Sequence, residues 1–401
     1  MVQSLGDIAM IRNLISYRPG EAFGAPPVLA LLGLALFLNA SKAGAQPAGG
    51  APAEAATSDS IEWQTDEMLP YYEIPNIPVS AEAYFAPDSY HLIAQTRDPD
   101  AVQGASGRHG NLTYTYTIEG TELTRINDKG QDACSYFFPD QQRVIFTSTR
   151  DNLHLPVGNW SDEDEYPRGG ELYVANIDGS DRRRLTHNEW YEAEVVVSPT
   201  GEWIAFGRNI DGRQDLWRIR PDGTDEQRIT DTDDWQEGSP YFMPDGEHLM
   251  FRSWRDSDYK RVRPTPMVVM TINIDGSDWR GYTFDGDMNW APNPAPDGRH
   301  YVFVRVTEKD AGPLGNWDIF LGDLAGGEPV RLTTYPGFDG LPGMAPNGKL
   351  LAWARAKAGG FMAGIKTHIM DVSSLGIGPE NYESLNPEWG RPMFDDPPAT
   401  D

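Results

Sequence analysis

Seven positions ahead of Pro87, Pro139, Pro199, Pro244, Pro296 and Pro346 stand Ser80, Asp132, Glu192, Glu237, Asn289 and Asp339. Four of these six side chains are carboxylates. Brought to one opening, a column of like charges attracts a cation or a basic peptide, because low-dielectric walls focus its field. Read instead as structure, the same acids belong to the repeat and cap neighbouring backbone turns. Trp190, Tyr191, Trp235, Trp290 and Phe338 lie next to the column. An aromatic collar above an acidic mouth suits a peptide or a sugar, since flat rings bury area with little loss of entropy. Packing between repeats explains the same rings without any ligand.

Metal chemistry and catalysis are tested on the same stretch of chain. The longest insertion, residues 152–170 (NLHLPVGNWSDEDEYPRGG), carries Asp162, Glu163, Asp164 and Glu165 and offers oxygen ligands for a divalent cation such as calcium. An EF-hand is excluded: counting from Asp162, position 6 is Pro167 instead of Gly and position 12 is Tyr173 instead of Glu. A solvated acidic loop is the plainer account. His154 and His187 could join Glu192 around a metal, although two such histidines are more often ordinary loop residues. The chain has no Gly-x-Ser-x-Gly elbow, no His-Glu-x-x-His and no glycine-rich phosphate loop before a helix. A second insertion, residues 255–266, gathers Arg255, Lys260, Arg261 and Arg263, a basic cluster in an otherwise acidic chain.

The elements that position these residues come from a repeat. The segments YFAPDSYHLIAQT, YFFPDQQRVIFTS, VVSPTGEWIAFGR, YFMPDGEHLMFRS, NPAPDGRHYVFVR and GMAPNGKLLAWAR align at the six prolines. Each joins a tight turn, in which Pro presets φ and Gly or Asn accepts positive φ, to an alternating apolar strand. Upstream, Asn127, Thr186, Thr230, Thr283 and Thr333 close short strands such as RRLT and VRLT. Between the two registers lie strands ending in hairpin turns, as in ELYVANIDG and VVMTINIDG, and Asp-Gly at a two-residue connection is a strong hairpin signal. The three registers predict four antiparallel strands per unit, and six units predict an all-β, six-bladed β-propeller over residues 61–375. The last unit lacks its outer Leu-Thr strand. Ile74, thirteen residues before Pro87, marks an N-terminal strand that would supply it and close the ring without exposed edges.

Charge and the N-terminus set the compartment. The formal charge is -27. Removing residues 1–45, with Arg12, Arg18, Lys42, Asp7 and Glu21, leaves 30 basic against 58 acidic side chains, or -28. That balance excludes nucleic acid, whose phosphates need a basic face, and disfavours an anionic membrane surface. Residues 28–38 (VLALLGLALFL) are continuously apolar and are followed by Ala43-Gly44-Ala45. Eleven residues fall short of the roughly 20 that span a bilayer but suit a signal peptide cleaved after Ala45, with no transmembrane span in the mature form. Residues 46–60 (QPAGGAPAEAATSDS) read as a disordered linker, and residues 376–401 as a C-terminal tail. A single cysteine, Cys134, allows no intrachain disulfide. The protein is therefore expected in the periplasm or secreted, as a monomer.

These six repeats resemble the TolB-type variant of the WD40-like propeller family, whose blades carry an acidic residue, a Ser-Pro-Asp-Gly turn, an Asp-Gly hairpin and a Leu-Thr strand. The resemblance covers residues 71–372 and implies the propeller fold. It also implies that the acid column and the loops between second and third strands share one face. Residues 46–61 cannot hold the α/β domain that precedes the propeller in TolB. Fold alone does not fix activity. The function expected is a scaffold that binds a protein or a basic peptide through the loop-bearing face, with no cofactor. The alternative is a metal-assisted polysaccharide lyase or hydrolase of the envelope.

Overall fold

The computed structural model describes residues 61–393 apart from 104–107, 157, 161–164, 260, 308–314 and 358–363. The proposed signal peptide and linker lie outside the described residues. Among the described residues no helix is long and apolar enough to cross a membrane.

The chain is all-β, built from antiparallel strands in groups of four. The first sheet holds β2 (Ser80–Phe85), β3 (His91–Gln103), β4 (Arg108–Thr117) and β5 (Thr124–Arg125). The second holds β6 (Asp132–Phe137), β7 (Arg143–Ser148), β8 (Glu171–Asn176) and β9 (Arg183–Arg184). The third holds β10 (Tyr191–Val197), β11 (Ile204–Ile210), β12 (Arg213–Ile219) and β13 (Gln227–Arg228). The fourth holds β14 (Trp235–Phe242), β15 (His248–Arg255), β16 (Val268–Asn273) and β17 (Arg280–Gly281), with β25 (Arg391–Pro392) added outside β17.

Two further groups run together as one eight-stranded sheet. One is β18 (Asn289–Pro294), β19 (His300–Thr307), β20 (Asn316–Asp323) and β21 (Val330–Arg331). The other is β22 (Gly337–Met344), β23 (Leu350–Lys357), β24 (Lys366–Asp371) and the N-terminal β1 (Tyr71–Glu73). A parallel bridge from Trp317 to Phe338 joins them. Strand β1 pairs antiparallel with β24, Tyr71 opposite Met370 and Glu73 opposite His368.

The turns form as the repeat dictates. Asp88, Asp245 and Asp297 follow their prolines, and each accepts the N–H of the histidine three residues on, His91, His248 or His300, at 2.9–3.0 Å. Each histidine ring also bonds the second carboxylate oxygen. Alternating apolar residues of neighbouring sheets meet face to face, as where Phe146, Tyr173, Leu216, Phe251 and Met270 share one cluster. The first strands touch in order, β2 with β6, β6 with β10, β10 with β14, β14 with β18, β18 with β22, and β22 with β2.

Candidate functional site

The acid column does not line an opening. Asp132, Glu192, Glu237, Asn289 and Asp339 are all buried. They correct the expectation of a ligand mouth because each is tied into a joint between strands. In four successive joints a threonine hydroxyl oxygen accepts a third-strand N–H: Thr186 from Leu172, Thr230 from Leu216, Thr283 from Val269 and Thr333 from Ile319, at 2.9–3.0 Å. The hydroxyl hydrogen is then free to reach the acid of the next sheet, and Thr230 donates to Glu237 at 2.9 Å. Thr186 and Thr333 make the same bond to Glu192 and Asp339. In the first joint Asn127 replaces the threonine, and Asp132 accepts from it at 2.6 Å and from the Thr113 N–H at 2.8 Å. Asn289 takes the same place with an amide, donating to the Met267 carbonyl at 3.0 Å.

Burial dominates the electrostatics of this column. It pushes Asp132 up to about 6, Glu192 to about 7 and Glu237 to about 8. Hydroxyl and amide donors oppose the rise at Asp132, while Asp215 adds to it at Glu237. Arg208 sits 2.6 Å from Glu192, and Arg355 sits 2.7 Å from Asp339. These cations partly offset the loss of hydration, but a buried ion pair returns little net stability once both partners are dehydrated.

The residues at the register shifts between first and second strands lie two positions further on. Glu82, Cys134, Glu194, Ser239, Ala291 and Leu341 all have φ between 40° and 56°, and each sits where the register between first and second strands shifts by a bulge. A bulge leaves one residue outside the ladder and frees its backbone N–H. At two of these bulges a carboxylate from the preceding sheet takes that donor: Cys134 N–H bonds Glu82 at 2.9 Å and Ser239 N–H bonds Glu194 at 2.8 Å. Glu194 also accepts from Gln214 at 2.9 Å and Arg252 at 2.7 Å. It fits only because residue 238 is glycine, where a Cβ would stand 2.6 Å from its Oε2. Sequence reasoning missed Glu82 and Glu194; their signal is a constant offset of two from the acid column.

Glu82, Cys134, Glu194, Ser239 and Leu341 border a small cavity of about 30 Å³, partly open to solvent, together with Trp290. Its floor is Tyr84 and Tyr241, whose hydroxyls bond each other from sheets opposite in the order of touching first strands, with Tyr136 packed on Tyr84. Burial raises Glu82 and lifts the Cys134 thiol and both tyrosines well above their ordinary values. A thiol held neutral is a poor nucleophile. The cavity therefore offers hydrogen-bond donors and acceptors and an aromatic wall.

The other predicted residues separate. Trp290 borders the cavity and stands edge-on to Trp317 at 5.7 Å, while buried Phe338 packs against both. Tyr191 is buried and stacks on Tyr166 at 3.9 Å, beneath the long insertion. Trp160 of that insertion donates to Gln131 at 2.8 Å, so this part of the loop is packed down. Trp190 is exposed, and Trp235 is half-buried under the Arg255 guanidinium. His154 and His187 are exposed. Asp162 and Asp164 lie outside the described residues. Among the described residues no group of three His, Cys, Asp or Glu side chains is placed to hold a metal.

Comparison with known proteins follows this geometry. The family model described as the TolB beta propeller domain matches residues 167–390. An uncharacterised protein of Agrobacterium fabrum is 33% identical over 274 residues, covering 61% of this chain and 87% of that protein. Dipeptidyl-peptidase 5 of Porphyromonas endodontalis is 24% identical over 237 residues, 48% of this chain but only 33% of its own length. The crystal structure of TolB from Acinetobacter baumannii superposes with a TM-score of 0.51 at 15% identity, over 70% of this chain and 63% of that one, which supports the fold alone. The chain belongs to the TolB β-propeller domain family.

Proposed function

We propose that the protein is an exported, monomeric six-bladed propeller, closed by β1, that binds a protein or basic peptide partner at the end of the axis where the first strands begin. The apolar run 28–38 with Ala43-Gly44-Ala45 supports export to the periplasm. The observation that carries the binding reading is the axial cavity, walled by Glu82 and Trp290 and floored by the Tyr84–Tyr241 bond. A lysine or arginine side chain of the partner caps the mouth, its charged end directed at Glu82 and its stem against Trp290, where a cation over a ring gains about 0.5–2 kcal/mol. Glu194 already has Arg252, which leaves Glu82 as the acid that answers the guest.

Glu82 is raised by burial, so a bound cation favours its ionised form and binding releases a proton. Titrating arginine-containing decapeptides against the purified protein, read by tryptophan fluorescence, tests this. Binding that tightens as pH rises, with the rise lost in Glu82→Gln and binding weakened in Trp290→Ala, supports the reading. Equal binding of acidic decapeptides, or no effect of either substitution, refutes it. The reading requires no cofactor, so dialysis against a chelator leaves the binding unchanged.

A further inference from the structure

The segment following β24, which the sequence presents as a tail, is fastened along its whole described length. It makes two short 3-10 turns, Ser373–Leu375 and Pro379–Asn381, and buries Ile377 among Trp353, Met370 and Val372. It passes so close to the turn after Pro346 that a Cβ on Gly348 would stand 2.3 Å from the Cα of Gly378. At the next turn, after Pro296, the Glu383 N–H donates to the Asp297 carbonyl at 2.7 Å, and a Cβ on Gly298 would stand 2.3 Å from the Glu383 carbonyl oxygen. Leu385 and Trp389 pack on the cluster of Met243, Tyr301, Phe303 and Phe320, which draws on both the fourth sheet and the β18–β21 group. Arg280 donates to the Pro387 carbonyl, Met393 N–H donates to the Trp279 carbonyl at 3.1 Å, and β25 pairs with the outer edge of β17.

We infer that residues 377–393 are a clasp that makes the fourth sheet and the two groups of the eight-stranded sheet one cooperative unit. Strand β1 fastens the same end group by three residue pairs on its outer edge. The clasp works elsewhere, across two Pro-led turns and onto a third group, so the two fasteners restrain different joints. The contacts given above for the described residues of the clasp involve none of the residues that line the cavity, so its loss is expected to leave that site in place.

Deuterium exchange on the full chain and on a chain ending at Leu375 tests the inference. The clasp predicts faster exchange confined to the turns at 244–248, 296–300 and 346–350 and to β17, with the turns at 87–91, 139–143 and 199–203 unchanged. It also predicts a melting temperature lower by roughly 5–10 °C. Should the shortened chain not fold, Trp389→Ala in the full chain must give the same pattern at smaller amplitude. Uniformly faster exchange over all six turns, or no change anywhere, overturns the inference.

Discussion

Replacing Glu237 with glutamine removes the carboxyl that burial and Asp215 push up to about 8 while preserving its shape. The amide has partners ready. Thr230 donates to Oε2 at 2.9 Å, and that oxygen remains an acceptor. The hydroxyls of Thr232 and Ser253 lie 3.3 and 3.4 Å from Oε1, yet they also donate to the carbonyls of Trp235 and Gln236. Their lone pairs are therefore available to the new NH₂ group. The sign follows from proton linkage: a carboxyl raised on folding binds its proton more tightly in the folded chain, so its stabilising contribution is present below the unfolded value and is lost as pH rises through the folded one. Moving from an ordinary 4.5 to about 8 removes on the order of 3 kcal/mol between about pH 5 and pH 8. For a domain of this size that is roughly 5 °C in melting temperature. Glu192, Asp132 and the three turn histidines, all raised, slope the same way and remain in the variant. Scanning calorimetry at pH 5, 6.5, 8 and 9 should show Glu237→Gln close to the parent at pH 5, more stable above pH 7, and flatter with pH. Parallel profiles offset by a constant would refute the argument, since they mean that Glu237 is ionised in the folded chain.

Thr230→Val keeps the shape but strips the relay, leaving the Leu216 N–H and Glu237 short of a partner; denaturant titration should show a loss of about 1–3 kcal/mol. A chain beginning at Ile61 should melt like the full chain, whereas one beginning at Pro75 loses β1 and should melt several degrees lower; equal melting would contradict closure by β1. Mass spectrometry of protein exported by its own host should place the N-terminus at Gln46, and retention of residues 28–38 would contradict the signal peptide.

The repeat made the strand order readable because it is local: a Pro-led turn, an Asp-Gly hairpin and a Leu-Thr ending each fold on their own few residues. The acid column was equally visible, but its location was not, since whether Asp132 or Glu237 faces an opening or a neighbour's threonine depends on contacts between sheets. The bulge residues carried no signature of type. Positive φ usually draws glycine, yet here Glu, Cys, Ser, Ala and Leu occupy it at a shift in strand register, reinforced at Cys134 and Ser239 by a carboxylate bond from the preceding sheet. The segment after Leu375 breaks the repeat and has no periodicity, so its anchoring by Ile377, Leu385 and Trp389 emerges only from the packing.

Site-specific photocrosslinking in the host tests most directly whether the axial end is the binding end. A photoreactive residue placed at Leu341, which borders the cavity, is compared with one at Leu123 and one at Ile177, both exposed away from the cavity. The account predicts a discrete protein adduct from position 341 that competes with an arginine-containing decapeptide and disappears in the Glu82→Gln background. Adducts from 123 or 177 with none from 341 would contradict it.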